Sequence, residues 1–114
     1  MDVPKSSWRN RERFLPPSLC RAFTKVAGER ARQDTKHANA PERDLSRPLE
    51  ERLLIWHAVL SEEVGELART VLRDDEPERQ TPEARMKEAL HCAAVAVAII
   101  EVLEEESGVP VATP

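Results

Sequence analysis

Aromatic residues make up only 4% of this 114-residue chain, and no stretch alternates between apolar and polar for long enough to form a strand. Ala, Leu, Glu and Arg abound instead, a composition that favours helices. Concentrated positive charge is also missing. A net charge of −4 and a pI near 5.4 argue against a binder of nucleic-acid polymers, because contact with a phosphate backbone needs a basic surface. Cysteine is scarce: Cys20 and Cys92 lie far apart, each in an apolar helical context, and read as buried free thiols rather than a disulfide. No segment reaches the roughly 18 uncharged residues of a membrane span, and the N-terminus lacks the apolar run of a signal peptide. These absences together predict a soluble protein of a reducing compartment, the cytoplasm, with no membrane association.

The helix-forming sequence falls into three segments. Residues 1–17 come first, an N-terminal arm without periodicity, whose Trp8, Phe14 and Leu15 are candidates for docking on the body or on another subunit. Arg9, Arg11 and Arg13 in that arm are either a solvated basic stretch or phosphate contacts. Ser18 is the expected cap of the first helix, which carries Leu19, Ala22, Phe23, Val26 and Ala27 on one stripe and turns polar towards Lys36. A polar connector follows from His37 to Pro48. Ser46 is the expected cap of a second helix over 47–73, with Glu50 and Glu51 at its positive end. After a short acidic turn, Thr81-Pro82-Glu83 marks the start of a third helix over 82–106, which Gly108 and Pro110 stop before a tail over 109–114.

The middles of the second and third helices are apolar nearly all round, so each needs cover on more than one side. An all-α fold follows: an antiparallel bundle of about three main helices within 18–108, completed as a homodimer or homotetramer.

Chemistry concentrates in the second helix. At about 100° per residue, Glu62, Glu63 and Glu66 share one side. The stripe Trp56, Leu60, Glu63, Leu67, Val71 puts Glu63 where a Leu belongs. Acids crowded on a half-buried face repel one another and lose hydration, so they stay ionised only with a cation or other donors nearby, and a divalent metal would supply that. A solvated Glu-rich face is the alternative. Gly65 costs about 1 kcal/mol relative to Ala in mid-helix, and such a residue is tolerated where something approaches the backbone closely. In the third helix, Glu88 and His91 stand one turn apart on the same face. Antiparallel packing would bring both groups into one cavity, with Glu63, Glu66 and Glu88 offering oxygens to a hard cation. His91 is either a further ligand or a hydrogen-bonded packing residue. Glu101 either crosses a subunit interface or marks the helix's move into solvent.

Glu62-Glu63-x-x-Glu66, followed about twenty residues later by Glu88-x-x-His91, resembles the Glu-Glu-x-x-Glu and Glu-x-x-Asp pair of the all-α nucleoside triphosphate pyrophosphohydrolases, the MazG-like group. The sequences around these motifs, Leu60 to Ala68 and Glu88 to Ala98 with Glu101, are similar to the phage and bacterial branch of that group. Glu29-Arg30-Ala-Arg-Gln33-Asp34-Thr-Lys36 resembles the block that precedes the acidic helix there. The likeness runs from about Ala27 to Glu104.

The resemblance implies a bundle of two or more chains that hydrolyses a nucleoside triphosphate to the monophosphate and pyrophosphate in a house-cleaning role. It implies Mg²⁺, with Mn²⁺ as the other candidate, held by Glu63, Glu66, Glu88 and the His91 position. It implies Glu62 as the residue that orients or deprotonates the attacking water, and Arg30, Gln33 and Lys36 as phosphate or base contacts. A catalytically weakened bundle that serves oligomeric interaction or nucleotide binding is the alternative function. Two positions depart from the pattern. His91 stands in place of the Asp, and a neutral imidazole suits Mn²⁺ or a later transition metal better than Mg²⁺. His37-Ala38 stands where relatives often have Trp-Gly, which removes a stacking surface.

Overall fold

The computed structural model describes residues 15–72 and 77–108, in which three helices and two single 3₁₀ turns account for the regular structure. Helix α1 spans Pro17–Lys36, α2 spans Leu49–Leu72 and α3 spans Pro82–Glu106, with the 3₁₀ turns at Pro41–Arg43 and Pro77–Arg79. Among the described residues there is no strand, so the all-α expectation holds. The N-terminal arm through Phe14, residues 73–76 (the end of the expected second helix and the first half of the acidic turn) and the tail over 109–114 lie outside the described residues.

The helix starts differ in part from expectation. Thr81 caps α3 as foreseen, its hydroxyl accepting from the Ala84 N–H at 3.1 Å. Ser18 and Ser46 do not cap. Pro16 holds the N-cap position of α1 with no side-chain bond, because proline's fixed φ suits the first turn and Pro17 continues it. Ser46 is drawn instead to Asp44, which accepts from its hydroxyl at 2.6 Å and from its N–H at 3.0 Å. That local turn consumes the cap, and α2 begins only at Leu49, with the Pro48 carbonyl accepting from Arg52 at 3.1 Å. At the far end of α3, Gly108 takes φ 75°, a left-handed conformation that glycine adopts without a steric penalty.

Contacts along α2 and α3 run in opposite order. Trp56 packs with Val95, Ala98 and Val102, Glu63 meets His91, and the Thr70 carbonyl accepts from Arg85, so the two helices are antiparallel. The inward stripe of α2 is Trp56, Leu60, Glu63 and Leu67, as expected, but it continues to buried Thr70 while Val71 is left exposed. Steps of four, three, four and three keep a helix in register with its neighbour, whereas a second step of four drifts off the seam. Helix α1 packs on α3 and runs in the same direction, from Ala22 beside Met86 and Ala89 to Arg30 beside Glu101.

The core is small. Among the described residues its buried apolar members are Trp56, Ala94, Val95, Ala98 and Val102, while Leu54 and Leu72 of α2 are 72% and 75% exposed and Ile100 of α3 is 53% exposed. Cys92 is partly buried, but Cys20 is exposed on α1, contrary to the expectation of two buried thiols, its Sγ lying 3.8 Å from the Leu15 carbonyl oxygen. Both are free. Among the described residues, no helix is long and apolar enough to cross a membrane.

Candidate metal centre

Antiparallel packing sets Glu63 of α2 opposite His91 of α3, and the helical repeat sets Glu88 one turn before His91 on the same face. Nδ1 of His91 lies 3.3 Å from an oxygen of Glu63 and 3.3 Å from an oxygen of Glu88. One ligand atom from each of the three residues falls within 4.8 Å of the others, the spacing of donors around a single ion. The three side chains are 15–26% exposed, dry enough to strengthen an interaction with charge and open enough to admit one.

Helix α1 closes the other side of the imidazole. Oε1 of Glu29 lies 3.2 Å from His91 Nε2, and Nη2 of Arg32 lies 3.3 Å from the same nitrogen. Arg32 grips Glu29 through Nε at 2.7 and 3.0 Å and through Nη2 at 2.5 Å. These charge-assisted bonds hold the Glu29 carboxyl below the ordinary carboxylate range, outweighing the desolvation that pushes it up, and His91 and Gln33 add to the effect. Burial pushes the neighbouring Cys92 thiol up, and the charges of Glu63 and Glu88 push it further.

The remaining sequence-derived candidates stand apart from this group. Glu66 is bound to Arg69 at 3.1 Å, with Arg79 at 3.8 Å from its other oxygen. Glu62 is exposed and makes no hydrogen bond or ion pair among the described residues. Arg30 is engaged by Asp34 and Glu101, which also resolves the position of Glu101 as an intrachain partner of α1. Gln33 is buried against Glu29, and Lys36 is exposed at the end of α1. Gly65, expected to admit a close approach, has nothing within 4 Å of where a Cβ would sit, since it lies on the outer face of α2.

Glu29, which the sequence placed in the Glu-Arg-x-x-Gln-Asp-x-Lys block but gave no role, and Arg32 are the further neighbours of the centre. One signal was available: Glu29 and Gln33 are four residues apart, so the buried Gln33 places Glu29 on the same inward side of α1. Beside the centre opens a cleft of about 540 Å³, with Pro82, Met86 and Leu90 as its apolar floor, Glu83 and Lys87 on it, and Glu29 and His91 at the end nearest Glu63 and Glu88.

Two carboxylates and an imidazole fit a divalent cation of mixed oxygen and nitrogen preference, such as Mn²⁺, Fe²⁺, Co²⁺ or Zn²⁺, better than they fit Mg²⁺. No protein-family model, curated protein or solved structure matches the chain.

Proposed function

We propose that the chain is a metal-dependent nucleoside triphosphate pyrophosphohydrolase of the MazG-like kind, cleaving its substrate to the monophosphate and pyrophosphate. The observation that carries this reading is the convergence of Glu63, Glu88 and His91 from two helices, with ligand atoms within 4.8 Å, at the end of an open cleft. Glu63, Glu88 and His91 would hold the ion, with Mn²⁺ preferred to Mg²⁺. When bound, it would neutralise polyphosphate charge and acidify water, which is most of what such a hydrolysis requires.

The chain's own residues would divide the remaining work. Pro82, Met86 and Leu90 offer an apolar surface for the base or sugar, and Lys87 offers a positive charge beside it. Exposed Glu62, one residue from Glu63, is the candidate for orienting the attacking water, and exposed Lys36 is the candidate to meet phosphate. The exposed Leu54, Leu72 and Ile100 favour cover by further copies, as a homodimer or homotetramer. Free Cys20 and Cys92 accord with a cytoplasmic location.

Pyrophosphate release from a panel of ribo- and deoxyribonucleoside triphosphates, with Mn²⁺ and with Mg²⁺, tests the reaction. The expected result is turnover with Mn²⁺ that Glu63→Gln abolishes. Binding of nucleotide without release would instead establish a bundle that binds nucleotides but does not cleave them. The capture of Glu66 by Arg69 and Arg79 favours that second function, because it withholds an oxygen ligand from the centre.

A further inference from the structure

We propose that Glu29 is the positioning residue of this centre: its carboxylate accepts a hydrogen bond from Nε2–H of His91, leaving the Nδ1 lone pair for a divalent ion held with Glu63 and Glu88. The inference rests on the metal reading of the same site and adds the group that makes His91 a ligand.

A neutral imidazole carries one proton on two nitrogens, so it can donate a lone pair to a metal from one only if the other bears the proton. The structure gives the two nitrogens different neighbours. Nδ1 faces Glu63 and Glu88, each at 3.3 Å. Nε2 faces an acceptor, Oε1 of Glu29 at 3.2 Å, and a donor, Nη2 of Arg32 at 3.3 Å.

The two neighbours of Nε2 suit the two states of the centre. Without an ion, Nδ1–H donates to Glu63 or Glu88 and Nε2 accepts from Arg32. With an ion, the ring proton moves from Nδ1 to Nε2, and Nε2–H donates a hydrogen bond to Glu29. Ring protonation is the same before and after; only its place changes. A carboxylate behind a metal-binding histidine fixes the tautomer, restrains the ring and raises its basicity as a ligand.

Glu29 is suited to that role by its own restraint. Arg32 holds both of its oxygens, and its side chain is only 11% exposed. It comes from α1, while the ion's ligands come from α2 and α3, so docking of α1 on α3 becomes a condition for a competent imidazole. The ion best matched to the resulting donor set belongs to the Mn²⁺ to Zn²⁺ series, which accepts imidazole nitrogen.

The experiment uses the full chain, titrated with Mn²⁺ by calorimetry and with Co²⁺ by visible absorption, alongside ¹⁵N shifts of His91 in the Zn²⁺-loaded protein. Loaded wild type should show Nε2 protonated and Nδ1 bound to metal. Glu29→Ala should weaken Mn²⁺ binding by about 10- to 100-fold, the usual cost of losing such a partner. Glu29→Gln should recover most of that loss, because an amide oxygen still accepts the Nε2 proton. In a His91→Asp background the penalty for Glu29→Ala should vanish, since there is no ring to orient, whereas a merely structural role would preserve it. Metal on Nε2, or wild-type affinity in Glu29→Ala, overturns the role of Glu29 while leaving the centre intact. Absence of binding by wild type overturns the centre and Glu29's role together. Should Glu29→Ala fail to fold, the ¹⁵N shifts of wild type and the Glu29→Gln titration decide.

Discussion

The guanidinium of Arg30 reaches from α1 to Glu101 on α3, donating through Nη2 at 2.9 Å and through Nε at 3.3 Å to the two oxygens of one carboxylate. This paired geometry is the strongest form of such a contact. Arg30 also binds Asp34, which binds Arg43 of the connector, and Arg43 lies 5.2 Å from the ring centre of buried Trp56. Helix α1 is thereby tied both to α3 and, through the connector, to the core. A double-mutant cycle of Arg30→Ala and Glu101→Gln should give a coupling of about 0.5–1 kcal/mol in chemical denaturation, modest because Glu101 is half exposed. Strict additivity would mean that the pair contributes nothing in solution. If Arg30 instead contacts phosphate, Arg30→Ala would raise KM in the nucleotide assay with little change in stability.

The same pair shows what could be read from the sequence and what could not. Helical periodicity located all three helices and placed Glu63 on the inward face, because both are properties of consecutive residues. Glu88 and His91 were legible as a pair one turn apart for the same reason. Glu66 was placed with Glu63 by the helical angle as well as by motif, yet Arg69 sits three residues along the helix and takes it. Arg30 and Glu101 are separated by 71 positions, and nothing local indicates that they meet. Glu29 stood in a quoted motif without a role, because its contact with His91 depends on how α1 crosses α3, which is a tertiary property. Ser46 misled because a nearby Asp competed for its hydroxyl, and only the geometry of the turn decides that contest.

The three-residue centre and the displaced Glu66 make opposite claims on a metal titration. Thermal stability of wild type should rise with Mn²⁺, by about 2.7 kcal/mol when the ion is at a hundred times its Kd. Glu63→Gln, Glu88→Gln and His91→Ala should each remove the rise. Glu66→Gln should leave most of it, since Glu66 is held by Arg69 and Arg79 rather than by the group. A loss in Glu66→Gln as complete as in Glu63→Gln would show that the ion draws Glu66 away from its arginines.

Gly65 lies in the middle of α2 with open space where a side chain would be. In a helix interior, Ala in place of Gly adds about 0.5–1 kcal/mol by restricting the unfolded chain and removing the glycine's propensity penalty. Gly65→Ala should therefore raise the midpoint of denaturation without altering the mass measured by light scattering. A fall in stability together with partial dissociation would locate a second copy against this side of α2.

Cys92 reports on the charge of the centre. Burial raises its thiol pKa, and the carboxylates of Glu63 and Glu88 raise it further by disfavouring the thiolate. Removing one of those charges lowers the pKa, and more thiolate is then present at a given pH. At pH 8, without metal, exposed Cys20 should react first with a chromogenic disulfide, and Cys92 should react more slowly. Glu88→Gln should quicken the Cys92 phase alone. An unchanged rate would mean that access, rather than charge, limits Cys92.

Asp34 provides the test in acid. Desolvation works to raise its pKa, but hydrogen bonds from Arg43 and Arg30 outweigh it, so the carboxyl titrates below the usual 3.8. A group whose pKa is depressed on folding contributes stability that is present above its unfolded pKa and is lost as pH falls through the folded one. At neutral pH, Asp34→Asn should cost about 1 kcal/mol, less than a buried charged hydrogen bond because Asp34 is half exposed. Between pH 7 and about 5 that gap should be flat, because both states of wild type are ionised there. Below about 4 it should narrow, as the unfolded and then the folded Asp34 takes up its proton. A gap that stayed constant down to the onset of acid unfolding would show that Asp34 acts through shape alone, and the Arg30–Asp34–Arg43 chain would lose its electrostatic basis.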